Sequence, residues 1–410
     1  MILSIGSLSG QQTLRINLFE TSMDGHRPRY LREIIFGLKA HRKDCDLRLC
    51  IFDADRQTHG YLEFLKPFED QFGVCPLPNR TLKGRFRSEL TRLRLLHDCV
   101  VAHPCDRVII PYGDGLVPLM GALPKWLIRR IVPAATQMES MVFSPTWAYP
   151  SDHWLDGFYR QIRRWAIGRW PGFRLHFSDA NALGGAGGDP GDFAASVDLV
   201  PEVLDDWQDW DRRESHRWLV EQGYVSSDIS QLLQDSYVVS SPGLPSVRKG
   251  SVELIEAFVK HVQRPGIRLL VWGALPIEVT EKLRRRGVDW QADPRIVIIR
   301  EHVTDLGFRV LLSMTDLVAL PYQNHVGLSS VYLISAIHRK KTLCDDRGWL
   351  GWAVGEYGHG VSLRCSDTGE LARVIEGARE TEVSIASPPI VERLRLAHTQ
   401  GQFGSYWGRD

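Results

Sequence analysis

The sequence holds no CxxC pair, no Walker-type GxxxxGK[ST] loop and no HExxH motif. Paired-thiolate zinc sites, P-loop nucleotide hydrolysis and zincin proteolysis therefore have no local motif to rest on. No apolar run approaches the roughly 18 residues that cross a bilayer. The opening MILSIGSLSGQQ lacks the basic n-region of a secretory signal, so the expected location is the cytoplasm. A disulfide framework fails as well. Seven cysteines are an odd number, lie mostly in the first half, and fit buried thiols in a reducing compartment. Charge of one sign is also missing, since 50 Lys plus Arg against 49 Asp plus Glu give a net +1. No global field recruits nucleic acid, and any basic surface is local. No Ser-His-Asp or Cys-His nucleophile can be assigned from linear spacing, because such groups meet only in space.

What is present is an ordinary globular composition, 43% hydrophobic and 24% charged over 410 residues, too long for one core and suited to two domains. In the second half, YVVSS (237–241), RLLVWG (268–273), RIVIIR (295–300), DLVALP (316–321), KTLCD (341–345) and VSLRC (361–365) have strand character. Helix-length amphipathic segments separate them, and strand and helix in alternation predict a doubly wound parallel sheet. TLRINLFE, DLRLCIFDA, RVIIPY, SMVFS and RLHFS repeat the pattern in the first half. The reading is α/β, with two Rossmann-like doubly wound domains facing across a cleft. Residues 1–180 form the first domain, 181–234 a linker and interdomain segment, and 235–389 the second domain. Residues 390–410 cross back to the first domain, because VERLRLAH forms a helix and Phe403, Tyr406 and Trp407 at a chain end seek a surface to cover them.

Three features invite a functional reading and also carry a blander one. DAD (53–55) has the Asp-x-Asp form that holds a divalent metal in single-domain sugar transferases, but acids after a strand are commonly turn residues. GGAGGDPG (184–191) does not join a strand tightly to a helix, so it makes no phosphate cradle. The segment 159–173 combines Arg160, Arg163, Arg164 and Arg169 with Trp165 and Trp170. It is a candidate peripheral contact with the anionic inner face of a membrane, against the reading of a sheet-packed helix with solvated arginines.

The stronger signals stand at the carboxyl ends of the C-terminal strands, where open α/β sheets bind ligands. In SSPGLPSVRKGSVELIEAF, Gly243 lies in the loop and Arg248 and Lys249 precede Gly250 and a helix starting at Ser251. Cations beside the free N–H groups of a helix start suit a diphosphate. In ALPYQNHVGLSSVYLISA, Gly327, Ser329 and Ser330 open a second helix just after His325. CDDRGWLGWAV places two acids, Gly348 and Trp349 on the same rim.

These residues, in the order strand, RKG, helix LIEAF, strand LLVWG, DLVALPY, small-residue helix start and Gly-containing loop, resemble the nucleotide-sugar domain of GT-B glycosyltransferases. The chain is similar to a divergent branch of glycosyltransferase family 4. The resemblance covers 235–380 and extends more weakly to TSMDGHRPRYLREI, with Gly25 and His26 toward the cleft, and to the tail AHTQGQFGSYW. It implies that Lys249 holds the donor diphosphate with Arg248 beside it, and that Gly243, His325, Gly327, Ser329, Ser330 and Gly348 complete the donor site. The family arginine five positions before the lysine is Leu244 here, and the family's paired glutamates fall at Gly327 and Ser335, with PYxxH followed by Gly and Ser in their place.

The implied activity is hexosyl transfer from a UDP- or GDP-sugar co-substrate, with no cofactor and no metal and with retention of configuration. The acceptor would be a glycan, a lipid-linked molecule or a small molecule. His26 and Asp114, in loops after N-terminal strands, are the catalytic candidates for acceptor positioning or proton transfer, beside the blander reading of a cap and a turn residue. A nucleotide-sugar epimerase of the same fold, and a non-catalytic nucleotide- or glycan-binding relative, are the alternatives.

Overall fold

The computed structural model describes residues 13–23, 27–78, 85–143, 161–162, 174–177, 210–301, 303–323, 325, 327–380 and 383–408. Gly25, His26, nearly all of 159–173 and the whole of GGAGGDPG lie outside the described residues. Two compact units divide the chain, one of residues 1–201 with 400–410 and the other of 202–399.

Unit 1 is built on β1 (Arg15–Phe19), β2 (Asp46–Phe52), β3 (Gly73–Leu77), β4 (Arg107–Ile110), β5 (Gln137–Val142) and β6 (Arg174–Phe177). The helices between them are α1 (Arg27–His41), α2 (His59–Phe64), α3 (Arg85–Ala102), α4 (Leu116–Ala122) and α5 (Lys125–Ile131). The strands lie in the order β3-β2-β1-β4-β5-β6, and every neighbouring pair is parallel. Unit 2 repeats this plan with β7 (Tyr237–Ser241), β8 (Ile267–Trp272), β9 (Ile296–Ile299), β10 (Leu317–Leu320), β11 (Lys341–Asp345) and β12 (Val361–Leu363), ordered β12-β11-β10-β7-β8-β9 and all parallel. Its helices are α6 (Arg212–Glu221), α7 (Ser227–Gln234), α8 (Ser251–Lys260), α9 (Ile277–Arg285), α10 (Asp305–Met314), α11 (Ser330–Ile337), α12 (Gly348–Tyr357), α13 (Thr368–Gly377) and α14 (Pro388–Ala397). Each sheet reads 3-2-1-4-5-6 within its unit, the Rossmann order, with a switch point between β1 and β4 and another between β7 and β10.

The sequence dictates these elements for local reasons. RVII of β4 and LVAL of β10 are buried at every position, as expected of parallel strands covered on both faces. Asp211, Ser226, Thr304 and Asp367 cap α6, α7, α10 and α13 by accepting backbone N–H groups with their side chains. Strand β3 has no counterpart in the sequence reading. Its GVCPL carries a glycine and a proline, both poor in strands, and both are tolerated because β3 is the outermost strand. All seven cysteines are buried free thiols, and Cys50 and Cys75 are register partners across β2 and β3.

The last helix, α15 (Gln400–Gly408), belongs to unit 1 and packs on α1. Gly37 and Gly404 set the approach, since a Cβ on Gly37 would overlap the Gly404 backbone. Phe403 and Trp407 are each 1% exposed, and the Phe403 ring meets Tyr30 at 5.6 Å. Arg107 donates to the Trp407 carbonyl at 3.4 Å and to Glu139 Oε2 at 2.5 Å. His176 bonds the Tyr406 hydroxyl through Nδ1 and meets the same Glu139 oxygen through Nε2 at 3.2 Å. Burial pushes the Glu139 carboxyl up, but His176 and Arg107 overcome it and hold the group below its ordinary value. Among the described residues no helix is long and apolar enough to cross a membrane.

Candidate functional site

In unit 2 the loops that leave β7 and β10 stand on either side of the switch point, where a Rossmann sheet opens a crevice beyond its strand ends. Glycines let them interlock. Gly250, at φ 70°, precedes α8, and a Cβ there would overlap the carbonyl of Pro321, just past β10. Gln323 N donates to the Arg248 carbonyl at 2.7 Å, and the Gln323 amide returns to the Pro321 carbonyl at 2.9 Å.

This interlock presents Arg248 and Lys249 side by side. The Lys249 ammonium is folded back to donate to the Pro242 carbonyl at 3.3 Å. Gly243, at φ 86°, makes that possible, because a Cβ on it would occupy the space of Lys249 Nζ. Burial, and then the charge of Arg248, pull the Lys249 ammonium down to about 8. Among the described residues no carboxylate forms an ion pair with it.

Arg248 Nη1 lies 2.9 Å from His325 Nδ1. Burial, followed by Arg248, lowers the His325 imidazole to about 3, so the ring is neutral near pH 7 and its Nδ1 accepts from the guanidinium. The proton then sits on Nε2, which is buried and has no partner among the described residues. Tyr322 meets the ring edge-on at 5.1 Å. His325 thus aims Arg248 without adding charge.

Ser329 caps α11, its hydroxyl accepting from Tyr332 N at 3.4 Å, and Gly327 and Ser330 flank it at the helix start. Gly348, at φ 66°, opens α12 beyond β11, the strand beside β10. The sequence reading passed over its neighbour Arg347. Arg347 grips Asp345 through Nε to Oδ1 at 2.6 Å and Nη2 to Oδ2 at 2.9 Å, and reaches Gln323 Oε1 at 3.3 Å. Gln323 therefore ties together the loops after β7, β10 and β11. The sequence signal was available, since a cation directly before a helix-opening glycine repeats the grammar of Lys249 and Gly250. Leu244 is 70% exposed, and Ser335 bonds back to the Val331 carbonyl at 2.7 Å inside α11, so neither position contributes charge.

Of the two catalytic candidates, His26 lies outside the described residues. Asp114 sits in the loop after β4, half-buried between Gly113 and Gly115, at the unit 1 switch point. Asp53 and Asp55 of the DAD motif lie in a 3₁₀ turn, Asp53–Gln57, at the end of β2.

No protein-family model matches the sequence, and no curated protein matches it either. Solved structures do. Alr3699/HepE from Anabaena, in complex with UDP and glucose, aligns with a TM-score of 0.58 at 15% identity over 96% of this chain and 94% of that one. A glycosyltransferase from Rickettsia africae aligns at 0.61 and 12% identity over 96% of each chain. Sucrose-phosphate synthase from Thermosynechococcus elongatus aligns at 0.61 and 14% identity over 96% of this chain and 94% of that one. At such identities the likeness is one of architecture: the chain has the GT-B fold, two Rossmann-like α/β domains.

Proposed function

We propose that the protein is a glycosyltransferase that takes a hexosyl group from a UDP- or GDP-sugar bound at the β7–β10 switch point of unit 2 and passes it to an acceptor hydroxyl held by unit 1. The observation that carries this reading is the half-buried Lys249 ammonium beside the exposed Arg248, with no carboxylate pairing with it among the described residues. Two adjacent cations with no counter-ion among the described residues, at a helix start and a sheet switch point, suit a dianion.

The chemistry follows from where charge develops. As the glycosidic bond breaks, the leaving diphosphate gains negative charge, and groups that bind it more tightly than the intact donor lower the barrier. Arg248, aimed by His325, and Lys249 stand ready for that charge, and the start of α8 adds the positive end of its helix dipole. Arg347 completes the rim while remaining anchored on Asp345. These cations can supply the stabilisation without a metal ion. Retention at the anomeric carbon is proposed on the family resemblance, as is placement beside a family 4 branch.

The reading is tested by incubating the full chain with UDP- and GDP-hexoses in excess EDTA and following nucleotide release. Slow release without acceptor is expected from the parent, and release from Lys249→Ala should be slower by about 30- to 1,000-fold, equivalent to ~2–4 kcal/mol of transition-state stabilisation. Absence of both nucleotide binding and release at millimolar donor would overturn it. NMR of the anomeric proton in a transfer product reads retention directly.

A further inference from the structure

Burial in an apolar core ordinarily pushes a thiol up, because the thiolate loses its water. Cys45, Cys105, Cys344 and Cys365 obey this rule. Cys75 breaks it. It shares one apolar cluster of unit 1 with Cys50, Cys99 and Cys105, where Cys50 lies on β2, Cys75 on β3 and Cys99 on α3. The Cys50 thiol is hydrogen-bonded to those of Cys75 and Cys99. Its bond to Cys75, helped by the Arg48 guanidinium, outweighs burial and Asp46 and draws the Cys75 thiol down to about 7, while Cys50 itself is pushed up. The proposed sugar transfer uses none of these thiols.

Strand register makes the pair bondable. Cys50 and Cys75 are direct partners in the parallel pairing of β2 with β3, so both side chains leave the same face of the sheet. Neighbouring strands run ~4.8 Å apart, inside the ~4.4–6.8 Å that Cα atoms take across a disulfide. Access separates the two roles. Cys75 is 8% exposed and stands on the outermost strand, whereas Cys50 is 0% exposed and Cys99 3%. A small oxidant arriving from solvent therefore meets Cys75 first, with Cys50 directly beside it. Among the described residues no group of three or more His, Cys, Asp or Glu side chains is placed to hold a metal ion, so the chemistry open to this cluster is between its thiols.

We infer that Cys75 and Cys50 form a reversible, peroxide-responsive pair that closes into a disulfide and fixes the outermost strand of unit 1 to its neighbour. The Cys75 thiolate attacks one peroxide oxygen and the O–O bond breaks. One oxygen stays on the sulfur as a sulfenic acid, and the other leaves as hydroxide and takes up a proton to become water. The Cys50 sulfur then attacks the Cys75 sulfur, the S–O bond breaks, and the hydroxyl departs with the Cys50 proton as a second water. The two thiols have together given up two electrons, and one peroxide has become two waters. A dithiol reductant reverses the bond by exchange. Strand β3, which pairs with β2 alone, gains a covalent tie, and the segment 51–74 with α2 becomes a closed loop.

The test treats the folded full chain with about ten equivalents of hydrogen peroxide, then alkylates it under denaturing conditions and maps the peptides. Two of the seven thiols should be lost, in a cross-linked peptide pair holding Cys50 and Cys75 that dithiothreitol separates. Cys99→Ser should leave the cross-link intact. Cys50→Ser should abolish it and leave Cys75 as a sulfenic acid captured by dimedone, and Cys75→Ser should slow thiol loss at Cys50 by about tenfold or more. Circular dichroism on the same samples shows which variants fold, and the peptide map of the parent decides the question without them. If the folded parent keeps all seven thiols, if Cys50 bonds Cys99 instead, or if Cys50 and Cys75 join only after unfolding in urea, the inference fails.

Discussion

Lys249 turns nucleotide binding into a proton-uptake reaction. In the free protein its ammonium titrates at about 8 instead of the ordinary 10.5, because burial and Arg248 disfavour the charge. A bound diphosphate favours it, so the bound-state value lies higher and protons enter with the ligand. If the diphosphate restores the ordinary value, the interval between about 8 and 10.5 corresponds to about 3 kcal/mol. The sign is fixed by which form binds. Affinity is full below pH 8, where Lys249 is already protonated, and falls above it by up to about tenfold per pH unit until the bound-state value is reached. Uptake should be about half a proton at pH 8 and close to one at pH 9. Calorimetric titration of UDP and GDP in buffers of different ionisation enthalpy measures this directly. Lys249→Met, which keeps the aliphatic stem, should abolish the uptake and flatten the pH profile. The same variant should melt above the parent at pH 7. The unfolded chain binds more protons than the folded one between about 8 and 10.5, so the cost of burying the charge is fully present below 8 and vanishes above 10.5. Tight binding at pH 9 with no proton uptake, or equal uptake by the methionine variant, would refute the reasoning.

Gly250→Ala combines a positive φ of 70° with overlap on the Pro321 carbonyl, and should cost unit 2 about 3 kcal/mol or more in a urea melt while lowering nucleotide affinity. Arg347→Ala strands Asp345, 2% exposed, without its bidentate partner, and a loss of about 3–5 kcal/mol is expected. Replacing both residues, Arg347→Met with Asp345→Asn, should recover part of that loss. Deletion from Gln400 onward removes Phe403 and Trp407 from the unit 1 core, each worth about 3–5 kcal/mol by analogy with truncation to alanine. Scanning calorimetry should then show the unit 1 transition lowered or lost beside an intact unit 2 transition, and an unchanged thermogram would show the helix to be dispensable.

Local grammar made much of this legible. Five strands of unit 1 and all six of unit 2 announce themselves as apolar runs, and the RKG turn declares a cation pair at a helix start without any three-dimensional knowledge. β3 stayed hidden because its stability comes from pairing with β2, not from Gly73 or Pro76. Arg347 was readable in principle, but two adjacent acids in CDDRG disguise a cation as a solvated turn.

The packing of α15 also sets an order of events during synthesis. The first core of the chain includes Phe403 and Trp407, which the ribosome supplies only after every residue of unit 2. At roughly 5–20 residues per second, α1 waits tens of seconds before Gly404 can settle against Gly37. Unit 2, complete by Thr399, draws on no later segment. The half that begins the chain therefore completes its core only once its last helix has been made. A mutation near the C-terminus should register first as misfolding of the N-terminal unit, with its apolar α1 surface offered to chaperones in the interval.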